Sequence, residues 1–424
     1  MTATGSPAAA TGVRPEAESL TPPDELARDY LLLALSLATH IDGLVDAYYG
    51  PPELSAEAES RPATPARLAN DAADLRRRAT EEPDAQRALW LDRQLIALET
   101  LARQAAGETM AYLDEVERCF DARPEPTGAQ VYGAVRDQLS ELLPDGPDLH
   151  QRLEARNRRM TVPADRLLAI LEWLTAEIRR SCLERFPAPS GESLTLNMVS
   201  NQPWSAYNWY DGGLRSRIEV NTDLPSRAHA LIGLIAHEAY PGHHLEHAWK
   251  EQRLVREMGR GEATVQLINT PEAFISEGLA DLGSRYVIEP ARWQELLTGI
   301  CQQAGIALGD GDAEREWRIT QALHALRGAG GDAALLLHVS RRPREEVLRF
   351  LEEDCLRSRE QAEKSLEFVS HPLWRTYVFC YAGGEELLSL WCAEAGDADA
   401  QRQRFFRLLT EQLTPSGIAA DRPQ

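Results

Sequence analysis

Apolar residues recur at spacings of three and four along most of this chain, and that period restricts it to a mainly helical fold. The pattern is carried by "TPARLANDAADLRRRAT", "AQRALWLDRQLIALETLARQAAG" and "PADRLLAILEWLTAEIRRSCLERF". It returns in "REEVLRFLEEDCLRSREQAEKSLEFV" and "EELLSLWCAEAGDADAQRQRFFRLLTEQL". "PDELARDYLLLALSLATHIDGLVDAYYG" opens on Pro-Asp and stops at Gly50-Pro51, which predicts one long helix between them. The exception is 192–223, where alternation, aromatic and β-branched residues and a Gly212-Gly213 turn predict a small antiparallel sheet of two or three strands.

Residues 1–22 are rich in Ala, Thr, Pro and Gly and read as a disordered tail, and 415–424 as a flexible one. A single domain is expected over 23–414, with two helical lobes around a groove as a variant. The formal net charge of -21 disfavours nucleic acid and anionic membranes, both of which need a basic face. The six cysteines form no CxxC, and the first residues lack the basic-then-apolar pattern of a secretory signal. A cytoplasmic location is therefore expected, while oligomeric state is not readable.

Chemistry concentrates in "HEAYPGHHLEHAW". In a zinc-binding HExxH helix, two histidines four residues apart lie close in angle and about 6 Å apart along the axis. Here the fourth position is Pro241, and His243 and His244 follow six and seven residues after His237. Seven residues on a straight helix rise roughly 10 Å, too far to share one ion. Pro241-Gly242 argues against a straight helix, since proline removes a backbone bond and glycine tolerates the bend. Read as a two-residue insertion, "PG" makes His243 the second ligand beside His237, with His244 as the competitor.

A third ligand is found in "PEAFISEGLADLGSRYV", where Glu277 lies in an apolar helical context and Asp281 follows one turn later on the same face. Two histidines, a glutamate and a water form an open catalytic zinc site, and Asp281 would fix the tautomer of a ligating histidine. Glu238 is then the general base. On residues alone, His244 and His247 also suit surface positions beside Glu246.

With these motifs in view, the chain resembles a bacterial family known as domain of unknown function 885. That family is similar in fold to the thermostable carboxypeptidase-type zinc peptidases of the gluzincin group. The resemblance spans most of 25–410 and rests on "HIDGLVDAYYGP", "IEVNTD", "HEAYPGHHLE", "SEGLAD", "ALLLH" and "HPLWRTYVFCYAGGEEL". It implies a large helical zincin-like domain with a deep groove, one zinc ion on His237, His243 and Glu277, and a peptide or small amide as substrate. It further implies an oxyanion-stabilising tyrosine at Tyr381, with Arg375 and Tyr377 as candidates for a carboxylate or the oxyanion. The strand "SRIEVN", with Arg217, Glu219 and Asn221, resembles the edge strand on which such enzymes lay an extended substrate. The chain departs from the family at Leu279 and Glu246, which bears on substrate preference. Three activities share these residues: peptide hydrolysis of carboxypeptidase type, hydrolysis of other amides or esters, and binding without catalysis.

Overall fold

The computed structural model describes residues 21–202 and 204–421. Helices dominate, and short polar side chains start several of them. Asp24 accepts from the Ala27 amide, Thr64 from Arg67 and Asp84 from Gln86 and Arg87, each satisfying orphan donors of a first turn. Residues 1–20 of the expected tail lie outside the described residues.

Three boundaries differ from the sequence reading. The helix expected up to Gly50 ends at Ala38, and Val45–Tyr48 forms strand β1. Gly43, at φ 78°, sits in the turn between them, a conformation without penalty only for glycine. At the other end, Pro415–Ala420 is a helix with Ile418 buried, so that part of the expected flexible tail is packed onto the core. The closing helical pattern is split into Phe379–Ala393 and Ala398–Thr410, with Gly396 at φ 96° between.

The region 192–223 holds three strands, β2 (Ser193–Val199), β3 (Ala206–Tyr210) and β4 (Arg215–Asn221). Their order is β2-β4-β3: β3 and β4 form the expected antiparallel hairpin, and β2 pairs with β4 in parallel. Strand β4 is therefore central, with both its edges taken. A second, two-stranded antiparallel sheet joins β1 to β5 (Val265–Leu267).

The apolar core falls into two clusters. One gathers Leu37, Phe120, Tyr377 and Phe379; the other gathers Ile235, Leu245, Trp391 and Phe405. The helix Pro271–Val287 runs along their seam, giving Phe274 to the first and Ile275, Leu279 and Leu282 to the second. Each such side chain contributes about 1.5–3 kcal/mol by burial, which fixes the helix against both halves. It crosses Phe379–Ala393 at Gly278 and Gly384, where a Cβ on Gly278 would stand 2.4 Å from a backbone carbon of Gly384. That crossing accounts for the paired glycines of "YAGGEE".

Candidate metal centre

The helix carrying His237 runs from Ala228 to Glu238 and stops; a new helix begins at His243 and runs to Lys250. Between them the chain turns through 239–242, with a cis peptide between Tyr240 and Pro241. A Cβ at Gly242 would lie 1.8 Å from the His237 carbonyl oxygen, so only glycine allows the second helix to start this close to the first. The expected bend is thus a full break between two helices. It brings the His243 ring beside His237, ring centres 4.7 Å apart.

Three ligand-type atoms converge. Nε2 of His237 lies 3.1 Å from Nε2 of His243 and 3.3 Å from Oε2 of Glu277, and the His243–Glu277 separation is 3.9 Å. Ligands at about 2.0–2.1 Å from a tetrahedral ion sit roughly 3.3 Å from one another, so these spacings suit one zinc. The outer contacts fix both rings. His237 Nδ1 lies 2.9 Å from Asp281 Oδ1, a carboxylate that can only accept, so Nδ1 carries the proton. Ser276 donates its hydroxyl to Glu246 Oε2 at 2.6 Å, leaving its oxygen to accept from His243 Nδ1 at 3.2 Å. Both Nε2 lone pairs then face the same point as Glu277 Oε2, a buried oxygen without a hydrogen-bond partner among the described residues. Three acceptors aimed at one locus repel one another unless a cation stands between them. The donor set fits a divalent metal.

Without a metal, a proton can take the cation's place at this point. Burial opposes a charged His237, but the carboxylates of Asp281 and Glu277 beside it outweigh this and hold its pKa well above the usual range, so a bound metal would displace that proton. Burial pushes Glu238 up, partly offset by His237 and His243. A carboxylate so raised takes and returns protons more readily near neutral pH. Side chains of His237, His243 and Asp281 are 20%, 13% and 25% exposed, so solvent reaches the site.

His244, the competing second ligand, points elsewhere. It is fully buried, with Nδ1 2.8 Å from Ser216 Oγ and Nε2 2.8 Å from Glu192 Oε2. Successive residues on a helix lie about 100° apart, so only one of the pair can face His237. His247 is also buried rather than on the surface. Burial lowers its pKa to about 3, its Nδ1 meets Gln266, and its ring stacks on His243. Glu246 also bonds Lys250 Nζ, at 2.6 Å, and so serves as an anchored support for His243. Leu279 is a core residue.

The residues expected to hold substrate are distributed differently. Strand β4 is not an edge; the outer strand next to the site is β3, whose Asn208 donates to the Glu238 carbonyl at 2.6 Å. Asn221 is buried and donates to the carbonyls of Gln202 and Trp204, closing a loop. Arg217 pairs with Glu219 at 2.5 Å, and Glu219 also accepts from the Trp209 indole. Arg375 is held by Glu115 at 2.5 Å and stands over the Tyr112 ring, so its charge is already met. Tyr377 donates to Glu277 Oε1 at 2.7 Å, which leaves Oε2 for the converging point. Tyr381 packs edge-on to Tyr377, ring centres 5.8 Å apart, and its hydroxyl has no partner among the described residues.

One residue of this neighbourhood escaped the sequence reading. Asp46 lies on β1, where the pairing slips between Val45 and Ala47, so it is the extra residue of a bulge. Its carboxylate accepts from the Tyr207 hydroxyl. Burial raises its pKa to about 7, an effect opposed by His243 and reinforced by Glu277 and Glu238. The motif "HIDGLVDAYYGP" contained the signal, but its apolar run read as more helix.

No family model and no curated protein matches this chain. Among solved structures it is similar to a candidate lipoprotein from Colwellia psychrerythraea, at TM-score 0.54 and 14% identity. That likeness covers 84% of this chain and 66% of the other, so the chain spans just under two thirds of that protein. A candidate lipoprotein of unknown function from Shewanella oneidensis aligns at TM-score 0.51 and 13% identity, over 92% and 82% of the two chains. A carboxypeptidase from Deinococcus radiodurans aligns over 93% of both chains at 12% identity, but at TM-score 0.36, too distant to carry an argument. The first two likenesses bear on the fold alone and on nothing of activity. No helix among the described residues is long and apolar enough to cross a membrane.

Proposed function

We propose that the chain is a zinc-dependent hydrolase of peptide bonds. The reading rests on the convergence of His237 Nε2, His243 Nε2 and the unpartnered Glu277 Oε2, with Glu238 next in sequence to the first of them. A divalent metal held by these three residues would supply a Lewis acid and an acidified water. Glu238, not a ligand, accepts the water's proton and returns it to the departing amine. Its raised pKa suits both halves of that transfer. Tyr381, whose hydroxyl has no partner among the described residues, donates to the oxygen that becomes negative as the carbonyl is attacked; such a donor is worth on the order of a hundredfold in rate. Asp281, Ser276 with Glu246, and Tyr377 each hold one ligand in its binding orientation.

The carboxypeptidase direction implied by the family resemblance draws on Arg375 and Arg217, each already paired with its own acid. A peptide or small amide is the substrate class in this reading, in keeping with a net charge of -21 that disfavours nucleic acid. A reducing, cytoplasmic setting fits six buried free cysteines. Glu238→Gln tests the mechanism: turnover of peptides in a substrate panel falls by on the order of a thousandfold or more while zinc stays bound. Full activity in that variant removes the general base from the account.

A further inference from the structure

An exopeptidase needs one charged side chain for the end of its substrate: a cation for a carboxylate or an anion for an ammonium. The arginines suited to a substrate carboxylate are both neutralised: Arg375 by Glu115 and Arg217 by Glu219. Asp46 is the reverse case. It occupies a bulge, a device that re-aims a side chain beside active sites. Its one bond is to a neutral phenol, Tyr207, and it has no cationic side-chain partner among the described residues. Two contacts set it beside the metal centre: Tyr207, which fixes it, adjoins Asn208, the donor to the Glu238 carbonyl, and Ala47 next to it pairs with Gln266, which meets His247 against the His243 ring. A carboxylate held by a single neutral donor keeps acceptor positions for a charged one.

We propose that Asp46 receives the free α-ammonium group of the substrate's amino terminus, so that the enzyme removes residues from that end. Tyr207 positions the carboxylate, leaving its second oxygen for the incoming N–H donors. Tyr207 is also the middle ring of a row with Trp204 and Trp209, centres 5.7 Å and 4.6 Å away, beside which an amino-terminal side chain can lie. The inference rests on the peptidase reading and adds its polarity.

The test compares alanyl-phenylalanine amide with its N-acetyl derivative. For the wild type, kcat/KM for the free amine exceeds that for the acetylated form by on the order of a hundredfold. In Asp46→Asn that ratio falls at least about tenfold, mostly through KM, and Tyr207→Phe falls part of the way. The same preference appears as binding when both peptides are titrated into the zinc-loaded Glu238→Gln protein. Zinc content and melting of each variant confirm an intact fold; if Asp46→Asn does not fold, the wild-type ratio and Tyr207→Phe decide. Equal or better hydrolysis of the acetylated peptide, or a ratio unmoved in the folded variants, overturns the amine assignment and leaves the peptidase reading standing. Hydrolysis of neither peptide, with zinc bound, removes the peptidase reading and this inference with it.

Discussion

His243 and His244 are adjacent on one helix, yet they sit in clusters of opposite character. Around His244 the bonds close on themselves. Its two nitrogens meet Ser216 and Glu192, and Glu192 also takes the Tyr240 hydroxyl and the Arg179 guanidinium. Around His243 the outer atoms are fixed in the same way, by Ser276 and Glu246, but the inner ones are not. There Nε2 faces another Nε2, and Glu277 Oε2 has no hydrogen-bond donor among the described residues. A buried polar cluster that closes internally holds the fold. One that leaves several acceptors on a common point fits a cation.

The largest expected effect lies in the closed cluster. His244→Leu strips Glu192 of a buried partner and leaves Ser216 unpaired. We expect a loss of roughly 3 kcal/mol or more in stability, read by chemical denaturation, with zinc retained. Loss of zinc with stability intact would reverse the assignment of the two histidines. On the open side, Asp281→Asn keeps the shape but weakens the hold on His237 Nδ1. Zinc affinity falls about 10- to 100-fold in competition with a chelator, while the metal-free protein unfolds as the parent does.

The smallest effect sharpens the comparison through pH. Burial raises the Glu192 pKa, but the bonds from His244, Tyr240 and Arg179 outweigh it and hold the value at about 2. The unfolded chain therefore protonates this group first as pH falls. Its contribution to stability is full above the ordinary value of 4.5 and is lost as pH drops toward 2. The stability gap between the parent and Glu192→Gln should shrink across that window. A gap that stays constant would detach Glu192 from the closed cluster.

What could be read from the sequence follows from how local each feature is. His237, Glu238, His243, Glu277 and Asp281 were legible because helix period and a proline-glycine interruption are short-range signals. The choice between His243 and His244 was not, since it depends on which way a broken helix restarts. Strand order was hidden for another reason: β2 joins β4 in parallel across the intervening β3, and alternation alone carries no partner information. Arg375 looked free because the acid that holds it, Glu115, is 260 residues away. Asp46 was missed because four residues of strand follow an apolar helix without a change in composition.

Metal binding by the open cluster is tested by the metal content of the purified protein and of two variants. After zinc-replete expression, elemental analysis should find one zinc per chain in the parent and in His244→Leu, and little or none in His243→Asn. A zinc-free parent, unmoved in melting temperature by added zinc or a chelator, would contradict it, as would a His243→Asn protein that keeps its zinc.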